Sequence, residues 1–132
     1  MNCDTCVKIL PLPECIEGIA YNPYYLEGLT FTDTDTNMIA KVRDMATGKM
    51  EYIEFETDSG GDAVIDLFVM FPLMDHVYTI EFVNAETGNP EDFTITNADS
   101  TTSVGCCIEF GVSVGQTDNN GFFTVSSQGC AV

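Results

Sequence analysis

Residues 42–55, VRDMATGKMEYIEF, and residues 82–95, FVNAETGNPEDFTI, decide the fold. The two stretches align at a constant offset: Asp44 falls on Asn84, Thr47 on Thr87, Gly48 on Gly88, Glu51 on Glu91, Ile53 on Phe93 and Phe55 on Ile95. In each, alternating apolar positions flank a short polar stretch that ends in glycine. That pattern specifies a hairpin around a type I turn whose following residue takes positive φ, where glycine alone carries no steric penalty. Duplication of one hairpin and convergence on one good turn both account for the likeness. The repeat specifies hairpins, not chemistry.

Working outward, the rest of the chain reads the same way. GLTFTD (28–33) alternates with Leu29 and Phe31 on one face, and NMIAKVRDM (37–45) and MEYIEFET (50–57) flank the first turn. AVIDLFVMF (63–71) is a more continuously apolar strand, and HVYTIEFVN (76–84) aligns Tyr78, Ile80 and Phe82. GCCIEFGVSV (105–114) and GFFTVSS (121–127) read as a C-terminal pair around the loop QTDNN. About eight short strands at this spacing, with no long 3.6-residue pattern, predict an all-β, Ig-like antiparallel sandwich. Residues 1–20, with three cysteines and with Pro11 and Pro13, read as an extended N-terminal arm, and residues 21–132 as the sandwich domain.

At 132 residues the chain is long enough for one domain to bury a core without obligatory disulfides or metals. Hydrophobic residues make up 45%, which places it among globular chains despite its acidity. Its 21 Asp and Glu against 4 Lys and Arg give a net charge of −17. Nucleic acid and anionic membranes repel such a surface, so neither is an expected partner. The charge itself reads as solubility through mutual repulsion, or as attraction for a basic partner or cation. Residues 1–20 lack a basic stretch followed by an apolar run, and the longest apolar run, Leu67 to Met74, contains Pro72 and is too short to span a bilayer. Synthesis in a reducing cytosol follows as the expectation, with any disulfides forming after release.

The cysteines are the densest motif. Cys3 and Cys6 have C-x-x-C spacing, but the distal cysteines, Cys106 and Cys107, are adjacent rather than spaced as a second ribbon pair. A four-thiolate zinc site would draw on Cys3, Cys6, Cys15 and Cys107, with the arm folded back on the C-terminal strand. A redox dithiol would need a βαβ context, which is missing. Strand alternation puts Cys106 with Ile108 and Phe110 and turns Cys107 the other way, so the adjacent pair does not bond to itself. A turn centred near Asp118 would bring Cys130 opposite Cys106 or Cys107, which allows a disulfide to one of them, while buried inert thiols remain the alternative.

Other motifs read as architecture before chemistry. Asp33, Asp35 and Asn37 mimic the first half of a calcium loop, but Met38 stands where the loop needs Gly, and its twelfth position is Asp44 rather than Glu. Thr117 to Gly121 is a hairpin turn. Tyr21, Tyr24 and Tyr25 offer rings for stacking on sugars or for an interface, or else pack the junction between arm and sandwich. His76 is the only histidine, and no nucleophile can be assigned to it. The sequence therefore predicts a protein that is not an enzyme and carries no cofactor or metal.

The Cys-containing start NCDTCVKILPLPEC (2–15), the strands carrying DMATGK (44–49) and YTIEFVNAETGNPEDFTI (78–95), and the cysteine-bearing last hairpin resemble small virion proteins. The family consists of auxiliary capsid, decoration and head-fibre proteins of tailed phages infecting Bacteroidetes, crAss-like phages included. The resemblance covers most of the chain and rests on layout and turns. It implies a non-enzymatic β-sandwich in many copies, docked on a capsid or tail surface with other virion proteins as partners. It also implies synthesis in the host cytoplasm without a signal peptide and residence in the virion. Two alternatives stand beside it. One is a carbohydrate-binding, lectin-like module on a fibre or cell surface, which would use the Tyr21, Tyr24 and Tyr25 rings. The other is a zinc-stabilised adaptor between virion proteins.

Overall fold

The computed structural model describes residues 6–8, 25–66, 76–96, 102–111 and 123–124. All regular structure there is strand: β1 (Val7–Lys8), β2 (Tyr25–Phe31), β3 (Asn37–Asp44), β4 (Met50–Glu56), β5 (Asp62–Asp66), β6 (Val77–Asn84), β7 (Phe93–Thr96), β8 (Thr102–Gly105), β9 (Cys107–Gly111) and β10 (Phe123–Thr124). One sheet has the order β1-β9-β6-β3-β4; the other runs β10-β2-β7-β8, with β5 also paired to β2. The chain is an all-β sandwich. Among the described residues no helix is long and apolar enough to cross a membrane.

Period-2 alternation builds the core. Met38, Ala40 and Val42 of β3 and Tyr78, Ile80 and Phe82 of β6 point inward from the first sheet, with Ile108 and Phe110 of β9 beside them. Leu26, Leu29, Phe31, Ile65, Phe93 and Ile95 answer from the second. With Trp absent, phenylalanines tie the sheets together. Phe82 lies 5.2 Å from Phe31 and 5.1 Å from Phe93 across the interface, both edge-on. Phe55 adds a fourth ring 6.0 Å from Phe82. Edge-to-face contacts between buried rings add about 0.5–1.5 kcal/mol per pair to the area they bury.

The two aligned hairpin turns are one structure made twice. Asp44 Oδ1 accepts the N–H groups of Ala46 and Thr47 at 2.9 and 3.4 Å, and Asn84 Oδ1 accepts those of Glu86 and Thr87 at 2.8 and 3.2 Å. The glycines close each turn, Gly48 N–H donating to the Asp44 carbonyl and Gly88 N–H to that of Asn84. Their φ values of 77° and 73° are the left-handed geometry expected from the sequence. Strands β3 and β6 pair antiparallel with Lys41 opposite Glu81, so a local twofold axis relates the two turns. Met45 N–H donates to the Val77 carbonyl, and Ala85 N–H makes the corresponding bond to Asn37.

After the turns the copies diverge. Met50 pairs with Arg43 and β4 stays beside β3. The equivalent Pro90 makes one bridge to Val83, and β7 then joins the other sheet. The flank of β6 that β7 would have occupied is taken by β9, which pairs from Glu81 to Val77. Strands β8 and β9 make a matching crossover, separated only by a bend at Cys106.

Three expectations are corrected. The described chain has ten strands, because GCCIEFGVSV is split between sheets at Cys106, and because Val7–Lys8 of the arm forms a strand of its own. The β1–β9 pair is parallel, with Val7 opposite Ile108 and Lys8 opposite Glu109, so the sandwich is not wholly antiparallel. Strand β10 pairs with β2, Phe123 opposite Leu26, rather than forming a hairpin with β9. The geometry has a local cause: the register of β2 breaks between Leu26 and Leu29 at Gly28 (φ 79°), so one side of β2 holds β10 along its first half and β7 along its second.

Candidate functional site

The outward face of the β4-β3-β6 part of the first sheet carries the most unusual surface. The inward alternation of β3 leaves Ile39, Lys41 and Arg43 pointing out. Cross-strand pairing puts Tyr52 and Glu81 on either side of Lys41, and Met50 and Thr79 on either side of Arg43. Met45 turns onto the same face, where its Sδ accepts the Thr79 hydroxyl at 3.7 Å, and Val77 lies next to it. Tyr52 is 62% exposed, Met45 53%, Val77 43% and Met50 38%, so four large apolar side chains stand in solvent together.

The few cations of the molecule gather on this sheet. All four cations of the chain, Lys8, Lys41, Arg43 and Lys49, belong to strands of this sheet or to its β3–β4 turn. Lys49 lies 3.7 Å from Glu51, whereas Lys41 and Arg43 make no ion pair among the described residues. Contiguous exposed apolar side chains make this face the candidate docking surface. The open edge of β4 is a poorer docking element, because Glu51, Glu54 and Glu56 line it with charge.

Beneath one end of this face lies a contact that sequence reasoning missed. His76 Nδ1 is 2.7 Å from Asp44 Oδ2, and Asp44 is only 7% exposed. Burial by itself pushes the Asp44 carboxyl up. The His76 hydrogen bond, the Ala46 N–H, the His76 charge and the Thr47 N–H together bring it below its ordinary value. The carboxylate thus holds a turn with one oxygen and a histidine with the other.

A second acidic contact joins the loop after β2 to the second hairpin. Burial, then the charge and hydrogen bond of Asp33, then the charge of Asp92, raise the Glu91 carboxyl above its usual range. Asp33 Oδ2 also accepts from Asn84 Nδ2 at 3.3 Å. Of the calcium-loop residues, Asp33 is therefore engaged with the hairpin, Asp35 occupies the turn at φ 47° and Asn37 opens β3. No three His, Cys, Asp or Glu residues converge as a metal site among the described residues.

The structure shows one pairing that the sequence reading did not draw. Cys6 and Cys107 form a disulfide with Cα atoms 4.6 Å apart, and Cys106 is disulfide-bonded as well. Inert buried thiols are thereby overturned at these three positions, and Cys107 is bonded to Cys6 rather than Cys130. The same disulfide withdraws two of the four sulfurs of the zinc arrangement. Cys3, Cys15 and Cys130 lie outside the described residues. Of the tyrosine group, Tyr25 begins β2 and is partly exposed, while Tyr21 and Tyr24 lie outside the described residues. Two open pockets, of about 350 Å³ beside Asn37, Glu54 and Glu56 and about 270 Å³ beside Phe31, Asp92 and Val104, are grooves rather than enclosed sites. No protein-family model, curated protein or solved structure matches the chain.

Proposed function

We propose that the chain is a non-enzymatic structural protein of a phage virion, a capsid auxiliary, decoration or fibre-associated protein that docks in many copies on a larger particle component. The observation that carries this reading is the outward face of β3, β4 and β6. There, exposed Met45, Met50, Tyr52 and Val77 surround Lys41 and Arg43 in a molecule of net charge −17. Aromatic and Met anchors around an Arg are the side chains that dominate protein–protein interfaces. The disulfide that ties the segment of β1 to β9 suits a protein that works outside the reducing cytosol.

Mass spectrometry of purified particles tests it. The chain should be present at high copy number, and the double variant R43E/Y52A should be folded yet depleted from particles. A chain that accumulates in infected cells but is missing from particles would end this reading.

A further inference from the structure

The edge of β9 is occupied by the smallest of strands. Among the described residues only Val7 and Lys8 pair with it on that side, so β1 adds no more than a handful of backbone hydrogen bonds, each a modest net gain. Val7 is half-buried against the core, lying over Gly105, and Lys8 faces Glu109, which places opposite charges in register. Cys6 and Cys107 keep the same register as Val7–Ile108 and Lys8–Glu109, and this is why their sulfurs meet. The covalent bond, not the strand, holds this segment in place.

Two lengths decide what else can sit on that edge. Residues 9–24 connect β1 to β2 and span about 50 Å when fully extended. A domain of this size is roughly 35–40 Å across. The Cys6–Lys8 segment can therefore reach a neighbouring copy without disturbing the sandwich. A second copy brings an identical Cys-Val-Lys segment, so it fits β9 with the same register, the same Val7 seat and the same charge pairing. Exchange of an identical element is a low-cost route to association.

We propose that the β9 edge is a strand-acceptor site that takes the Cys6–Lys8 segment of a second copy, locked by an inter-chain Cys6–Cys107 disulfide. The bond forms when the two thiols couple and oxidised glutathione takes the two electrons and two protons, leaving as two molecules of the reduced thiol. Closure within one chain competes at an effective concentration on the order of millimolar. Linkage between copies therefore needs the crowding of a multi-copy surface. The use of the site rests on the particle reading above; its chemistry does not.

The test uses purified chains. C6S and C107S variants, one isotope-labelled, are mixed near millimolar concentration in a glutathione redox buffer and mapped for Cys6–Cys107 linked peptides. Neither variant can close on itself, so every such peptide is inter-chain. The expected result is linked dimer at about tenfold higher yield in native buffer than in denaturing urea, and a matching loss when Val7→Asp is added. Should either variant fail to fold, labelled and unlabelled wild-type chains are reduced, mixed and reoxidised instead. Mixed-isotope Cys6–Cys107 peptides should then rise with protein concentration. Absence of the linked peptide, equal yields in urea, or no dependence on concentration overturns the proposal. Because particle composition is not measured, its failure is separate from failure of the virion reading.

Discussion

Two substitutions at Asp44, to Asn and to Ala, separate the roles of its two oxygens, with Asn84 as the built-in control. Asn84 makes the same pair of backbone bonds through Oδ1 in the matching turn, so D44N keeps the turn and gives up only the charged contact with His76. A hydrogen bond to a charged group is worth about 1.5–3 kcal/mol, and an Asn at this position can still donate to the ring, so D44N should cost about 1–2 kcal/mol. N84A should cost about 1 kcal/mol for its turn. D44A loses both contributions and should cost about 2–3 kcal/mol, close to the sum of the other two. The sign of the pH dependence follows from the depressed Asp44 carboxyl. Its contribution is complete above the ordinary value near pH 4 and is lost as pH falls through the lower folded value. Urea unfolding followed by circular dichroism at neutral pH and at about pH 3 measures all of this with disulfides intact. If D44N proves as costly as D44A, or loses stability in acid as steeply as the wild type, the division of labour argued above is wrong.

Three further outcomes follow from the same geometry. Phe82→Ala removes the fully buried ring that touches Phe31, Phe55 and Phe93, and should cost about 3–5 kcal/mol in urea unfolding; a cost under about 1 kcal/mol would show that the sheets do not meet there. Glu91→Gln should stabilise at neutral pH by under about 1 kcal/mol. The raised Glu91 carboxyl is penalised above its folded value, so this gain should vanish in thermal melts below about pH 4. Gly48→Ala should cost about 1–2 kcal/mol from backbone strain alone, since a side chain there meets nothing within 4 Å, and Gly48→Asn should cost less.

What was legible in the sequence was local. Alternation in MEYIEF and YTIEF and the glycine after each turn are written within a few consecutive residues, and the strands and φ values follow them. The partners of β7 and β10 depend on which flank of β6 and β2 is already filled, a competition among distant segments that no single stretch records. The same holds for the contacts. His76 and Asp44 are 32 residues apart, and Cys6 and Cys107 are 101 apart. Those two cysteines meet because β1 runs parallel to β9, and the strand that does so is only two residues long. One signal for the Asp44 contact was present: the turns share Thr and Gly and the same side-chain cap, yet one caps with Asp where the other caps with Asn. A charge kept in one of two equivalent turns implies a charged neighbour for that turn alone.

The divergence of the two hairpins also shapes the sheet that carries the proposed docking face. Had the second hairpin returned beside β6 as the first returns beside β3, the sheet would be an open four-stranded one, symmetric about the local twofold axis. Instead Pro90 has no N–H to continue a ladder, and the chain leaves for the other sheet after one bridge. That crossover closes the sandwich on the β6–β9 side, where Cys6 is also bonded. On the β3–β4 side the chain also crosses, from β4 to β5 of the other sheet, and the outer rows, from Met50 and Tyr52 to Arg43 and Lys41, stay exposed between the two crossovers. Glutamates guard the strand edge against pairing, while the face keeps its apolar side chains beside Lys41 and Arg43. An edge closed by charge beside a face left open restricts docking to side-chain recognition, so charge reversal at Arg43 should abolish binding where shortening β4 would not.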